Sequence, residues 1–180
     1  MQKRGRPTAD ERAARDARIV DVATTLFLED GFAGVSLDRI AAEAGVTKRT
    51  IYTAFGDKAA LLRAVVREQH TYEASPDADL ETTAAAICRA LLSDRAVALH
   101  RLVIAESTRS PEIAREFHEA GPLTAQRALV RAGADPDTAA ELFTVLLGEL
   151  HRQRLLDLAV APTRAEAAAR AARAVALFRP

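Results

Sequence analysis

The sequence has one cysteine, no tryptophan, few other aromatic residues and no net charge. Each shortage excludes something. Cys88 has no second cysteine to pair with, so no intrachain disulfide can form, which fits a reducing compartment. Lys and Arg together number 25 and Asp and Glu also 25. Bulk attraction to nucleic acid is therefore excluded, and any such binding has to come from local placement of charge. No apolar run approaches the ~18 residues that a spanning helix needs. The polar N-terminus "MQKRGRPTADERAARDAR" lacks the apolar core of a secretory signal. A soluble, cytoplasmic protein with no membrane partner is expected. Catalytic signatures are missing as well. There is no nucleophile elbow, no glycine-rich phosphate loop and no His/Cys metal spacing, and the histidines (His70, His100, His118, His151) are scattered. We expect no enzyme activity, no cofactor and no metal.

What is present is helix. The 180 residues are 49% hydrophobic and 28% charged, a globular composition dominated by Ala, Leu, Arg and Glu. Strand-type alternation is absent and helical periods recur throughout, so an all-α protein is expected. Thr8 and Glu11 have capping-box spacing, and Asp10 and Glu11 suit the positive end of a helix dipole. Ile19, Val22, Ala23, Leu26 and Phe27 form an apolar stripe that ends at Asp30–Gly31. Ser36 caps a second helix, with Leu37, Ile40, Ala41 and Ala44 inward and Gly45 as its stop. Thr47 caps a third helix through Phe55, and a fourth follows the Gly56–Asp57 break with Leu61, Leu62, Val65 and Val66 inward. After His70, "TYEASPDAD" reads as a joint. Further helices are expected near 79–93, 95–108, 111–119, 122–132, 137–158 and 163–178, with Gly121–Pro122 as a break.

The stretch "GVTKRTIYTAFGDK" carries the functional argument. Two short helices joined by a glycine-containing turn make a helix-turn-helix. On the second helix Ile51 and Phe55 fall on one side, as i and i+4 neighbours do, and Arg49 and Thr53 fall on the other. Lys48, Arg49, Thr50 and Thr53 suit base edges in a major groove, since Arg and Lys bond guanine and Thr bonds bases or touches the thymine methyl. Thr47, Tyr52, Lys58 and Ser36 are phosphate candidates, through hydroxyls, helix N-termini and an ammonium. For Tyr52 simple packing beside Ile51 and Phe55 competes with that role. Charge is the weak point, because residues 1–58 carry 10 basic and 9 acidic side chains. Lys3, Arg4 and Arg6 do lie in a basic arm without an acid; "RGRP" fits a narrow minor groove, or else the arm is a solubilising tail.

Residues 18–66 as a whole resemble the DNA-binding domain of the TetR family of bacterial transcriptional regulators. The resemblance rests on Gly31–Phe32, Ile40-Ala41, Ala44-Gly45-Val46, Thr47-Lys48, Ile51-Tyr52, Phe55-Gly56 and Lys58, in that order. It implies a three-helix DNA-binding domain (1–57), a connecting helix and joint (58–75) and a helical ligand-sensing and dimerisation domain (76–180). It implies a homodimer on a near-palindromic double-stranded operator, acting as a repressor released by a small-molecule effector. Where the family commonly has a phosphate-reaching residue, this chain has Ala54, so one backbone contact is expected to be missing.

The C-terminal part is less explicit, although "RLVIAESTRSPEIAREFHEAGP" looks like a segment of one TetR regulatory subgroup. Leu142, Phe143, Val145, Leu146, Gly148, Leu150, Val175 and Phe178 are the dimer candidates, with Gly148 allowing close helix approach. The competing reading is that these residues close the monomer's own core. Polar or aromatic groups among apolar neighbours, namely Cys88, His100, Glu106, Phe117, His118 and His151, are the ligand candidates, each with a plain packing role as its alternative. The scarcity of aromatics disfavours a large aromatic drug pocket. A rival functional reading keeps the DNA-binding domain and leaves the C-terminal part only to oligomerise or to bind a protein partner.

Overall fold

The computed structural model describes residues 8–68 and 77–178. Lys3, Arg4 and Arg6, and most of the expected joint, lie outside the described residues. All regular structure among the described residues is helical. Packing divides the chain into two compact units, residues 1–65 and 66–180.

The first unit contains α1 (Ala9–Gly34), α2 (Leu37–Glu43), α3 (Lys48–Phe55) and most of α4 (Lys58–Glu68). The capping box at the start of α1 is formed: the Thr8 amide donates to Glu11 Oε2 (2.8 Å) and the Glu11 amide to Thr8 Oγ1 (3.2 Å). The buried face of α1 is Ile19, Val20, Ala23, Thr24, Leu26 and Phe27. Val22, expected inward, is only half-buried, and Thr24 takes a core position because its hydroxyl donates back to the Val20 carbonyl at 2.7 Å. Helical geometry stops at Gly31 (φ 73°), a left-handed conformation that glycine adopts without a Cβ clash, and one last turn runs to Gly34. Ser36 and Thr47 cap α2 and α3 as expected, accepting from the Arg39 and Thr50 amides. The core between these helices is Phe27, Ile19, Ile40, Ile51, Leu61 and Leu62. Arg18 Nε donates to the Ala44 carbonyl at 3.0 Å and ties α1 to the end of α2.

The second unit holds α5 (Leu80–Leu91), α6 (Asp94–Glu106), α7 (Pro111–His118), α8 (Thr124–Arg131), α9 (Pro136–Leu155) and α10 (Arg164–Ala176). Helices α5 and α10 pack against each other, with Ala84, Ala167 and Ala171 fully or almost fully buried between them. Leu142 and Leu146 of α9 and Leu129 of α8 complete that core. The expected break at Gly121–Pro122 is instead a π-helical turn, Glu119–Leu123, that joins α7 to α8. Pro122 has no N–H to continue the α-helical ladder, and a wider turn accommodates it. The Thr124 hydroxyl donates to the Glu119 carbonyl across the turn at 3.0 Å.

Helix α9 is not continuous. Gly148 (φ 44°, ψ −141°) interrupts it and frees the carbonyls before it. Arg170 of α10 donates to the carbonyls of Leu146 (2.5 Å) and Leu147 (3.0 Å). A Cβ at Gly148 would meet Arg170 Nη2 at 3.1 Å within the same subunit, so the glycine gives that arginine room. Leu142, Leu146 and Val175, read as dimer contacts, are corrected, since all three are buried in this unit's own core. Phe143, Leu150 and Phe178 are partly buried against that core, and Val145 and Gly148 are the dimer candidates that are exposed. A buried arginine secures the end of α9. Arg154 donates to the carbonyls of Leu92 (3.2 Å) and Ala159 (3.0 Å) and to Asp94 Oδ1 (2.5 Å).

Candidate nucleic-acid interface and interior cavity

Helix α3 is eight residues long and has no room for ambiguity between its faces. Ile51 is 0% exposed and Phe55 is half-buried, so these two residues fasten it to the core. Lys48, Arg49, Tyr52 and Thr53 are exposed and line one open depression. Tyr52 is 51% exposed, which makes simple packing an incomplete account of it.

Local hydrogen bonds orient this face. Thr53 Oγ1 donates to the Arg49 carbonyl at 2.8 Å, leaving the threonine methyl and the oxygen lone pairs outward. Thr47 Oγ1 and Thr50 Oγ1 lie 2.9 Å apart, and Thr47 Oγ1 also accepts from the Thr50 amide. Lys48 Nζ donates to Asp38 Oδ2 on α2 at 2.9 Å. That hydrogen bond, with the carboxylate's charge, pushes the Lys48 pKa above its ordinary value, so the ammonium stays charged. Asp38 was not among the sequence candidates. Its place in the first turn of α2 is visible in the sequence, but its reach to Lys48 depends on the angle between α2 and α3.

Lys58 occupies a different place from the one expected. Its ammonium donates to the carbonyls of Phe32 (2.6 Å) and Val35 (2.8 Å) and lies 4.3 Å from the centroid of the Phe32 ring. It locks the bend after Gly31 against the start of α4. The Lys58 side chain therefore serves the fold, and its role as a phosphate contact stays an expectation. Arg39, also exposed, is held between Asp30 (2.5 Å) and Glu43 (3.1 Å).

In the second unit three of the six ligand candidates meet. His100, Phe117 and His151 line a cavity of about 210 Å³ with Leu91, Ala96, Pro122, Phe143 and Leu147. His100 Nδ1 and His151 Nε2 are 3.2 Å apart, and the Phe117 ring lies 4.6 Å from the His100 ring, centroid to centroid. Burial pushes the His151 pKa below its ordinary value. The other three candidates go elsewhere. Cys88 is fully buried in the core between α5 and its neighbours, and burial pushes its thiol pKa up. Glu106 is buried with Arg109 3.7 Å away, and His118 is exposed. Phe143 was read as a dimer contact and is a wall of the cavity. The i, i+4 spacing of Phe143 and Leu147 was the available signal for it.

Residues 19–65 match the family model of bacterial regulatory proteins of the tetR family, and residues 78–179 match that of the C-terminal domain of AefR-like transcriptional repressors. SrpR, an HTH-type transcriptional regulator of Pseudomonas putida, is 37% identical over 90 residues, which are 48% of this chain and 42% of that protein. The match thus spans under half of that relative's own length. The solved structure of a protein described as a TetR-family transcriptional regulator, from Mesorhizobium loti, is 26% identical with a TM-score of 0.72, covering 96% of this chain and 97% of that one. That of the flavonoid-responsive regulator FrrA is 26% identical with a TM-score of 0.66, covering 92% and 95%.

Proposed function

Because the chain belongs to the tetR family of bacterial regulatory proteins, which are DNA-binding transcriptional regulators and not enzymes, we propose that it is a cytoplasmic homodimeric repressor released from its operator by a small molecule. In this reading residues 1–57 form the DNA-binding domain, 58–75 the connection and 76–180 the sensing and dimerisation domain. The observation that carries it is the division of α3, with Ile51 fully buried and Lys48, Arg49, Tyr52 and Thr53 turned to solvent. Arg49 and Lys48 read base edges, Thr50 and Thr53 add hydroxyl and methyl contacts, and Tyr52, Thr47 and Ser36 approach phosphates. A two-fold dimer sets its two copies of α3 one helical turn of DNA apart, or a multiple of it.

Dimerisation is supported by apolar side chains left exposed in the second unit: Val145, Leu156, Leu158, Val160 and Leu177. Leu158 and Val160 border a surface depression that Leu150, Arg170 and Arg173 also line. These residues replace the buried Leu142, Leu146 and Val175 as the self-association surface. Release by a ligand is supported by the cavity with its paired histidines, and by the likeness to the flavonoid-responsive regulator FrrA.

Selection of genomic fragments by the purified protein tests the reading. Enrichment of a near-palindrome with half-sites a helical turn or two apart is expected. A protein that retains no duplex at low ionic strength is not a DNA-binding regulator of this kind.

A further inference from the structure

Helix α3, with the sequence KRTIYTAF, has two cations and no acid of its own. The fold nevertheless brings a carboxylate to one of them. Asp38 lies in the first turn of α2, ten positions before Lys48, and accepts a hydrogen bond from the Lys48 ammonium at 2.9 Å. Both side chains are exposed, and exposed pairs of this kind add little stability. The larger consequence is for what the ammonium can do next.

Lys48 lines the same open depression as Arg49, Tyr52 and Thr53, so it stands on the face proposed above to meet DNA. A lysine there has two kinds of target. Phosphates are present on every sequence and give affinity without discrimination, whereas guanine O6 and N7 are present only where the sequence puts them. An unrestrained ammonium on a flexible four-carbon stem reaches whichever phosphate is nearest. Asp38 acts on both options. Its hydrogen bond takes one of the three N–H donors and restricts the stem, while two donors remain for a guanine edge. Its negative charge, carried beside the same face, repels phosphates that approach Lys48. Specificity is a difference between affinities, and a built-in repulsive group lowers the affinity for the wrong partner. Residues 1–58 agree in composition: 10 basic and 9 acidic side chains leave little bulk attraction to arbitrary duplex.

Resting on the DNA-binding reading given above, we propose that Asp38 is a specificity-determining positioning residue. It withholds the Lys48 ammonium from phosphates on arbitrary sequence and presents it to a guanine of the operator.

The test compares binding of the full-length protein to its selected operator and to a random-sequence duplex of equal length, at low ionic strength, by fluorescence anisotropy. Asp38→Asn removes the charge and keeps the size. It is expected to tighten the random duplex more than the operator, so that the operator-to-random affinity ratio falls about three-fold, the scale of an exposed ion pair. Preference for guanine at one position per half-site is expected to relax in a base-substitution series. Asp38→Glu keeps a carboxylate and is expected to keep the wild-type ratio. Glu29→Gln removes an exposed carboxylate of α1, makes the same change in net charge, and is expected to keep the ratio as well. In a Lys48→Ala background Asp38→Asn is expected to leave the ratio unmoved, because the effect runs through the ammonium. An unchanged or rising ratio in Asp38→Asn, an equal fall in Asp38→Glu or Glu29→Gln, or an equal fall without Lys48 overturns the proposal. A selected operator with an unmoved ratio removes this proposal alone. A protein that selects no operator removes the DNA-binding reading and this proposal with it.

Discussion

In residues 1–65 the polar side chains of α3 face solvent, while in residues 66–180 the polar candidates scatter, and His100 and His151 line a cavity. Helix α3 of the first unit has eight residues and one fully buried side chain, so almost every polar residue of it has to be outside once Ile51 is inside. In the second unit α9 runs over 20 residues among several neighbouring helices, and a polar residue there can be capping, paired, cavity-lining or exposed. Arg154 is capping, Glu106 is paired, His151 lines the cavity and His118 is exposed. One unit's surface follows from a single helical wheel, and the other's interior follows only from the meeting of α6, α7 and α9.

That contrast can be broken or sharpened experimentally. The largest effect is expected from Ile51→Ala, which removes the anchor of α3 and should cost about 2–5 kcal/mol of stability in chemical denaturation, with loss of operator binding. An unchanged denaturation midpoint would mean that α3 is not fastened by its inner face. Lys58→Ala should cost about 1–3 kcal/mol of stability by leaving the Phe32 and Val35 carbonyls without their ammonium. The salt dependence of DNA binding by Lys58→Ala should match the wild type's. A slope flattened by about one unit would return Lys58 to the phosphate contacts. Arg49→Ala should leave stability alone and weaken operator binding by about 1–3 kcal/mol, relaxing base preference at one position per half-site in a mismatch series. Uniform loss over all sequences would show that Arg49 does not read bases. Asp38→Asn should tighten DNA binding a few-fold at low salt, because it removes an anion beside Lys48, and the gain should vanish as salt rises.

The smallest effect concerns pH. Burial lowers the His151 pKa in the folded protein, so the unfolded chain binds the proton more tightly. The stability His151 contributes is thus present above its unfolded pKa of about 6.5 and falls as pH drops through the folded value. The stability difference between wild type and His151→Gln, followed by thermal melting from neutral to mildly acidic pH, should shift against the wild type as pH falls. A difference that is flat across that window would mean that His151 is not buried as described.

Legibility differed between the two units for physical reasons. The caps at Thr8, Ser36 and Thr47 and the stops at Gly31 and Gly45 were readable because they are satisfied by residues two to four positions away. The exposed set on α3 was readable for the same reason of local geometry. The contacts of Lys58 were not legible because its carbonyl partners lie 26 and 23 positions earlier in the chain. The approach of Arg170 to Gly148 was not legible because that arginine belongs to the next helix, 22 positions on. Leu142 and Leu146 looked like interface residues because an apolar stripe does not say whether its own chain or another covers it.

By itself the sequence determined that the chain is helical, where most helices start, and which side of α3 is free, because those outcomes depend on interactions within one or two helical turns. Only the tertiary structure decided where Lys58 and Arg170 put their charges, and that His100, Phe117 and His151 share a cavity. Those outcomes depend on backbone carbonyls and side chains brought together from distant positions, and no local period records how helices cross.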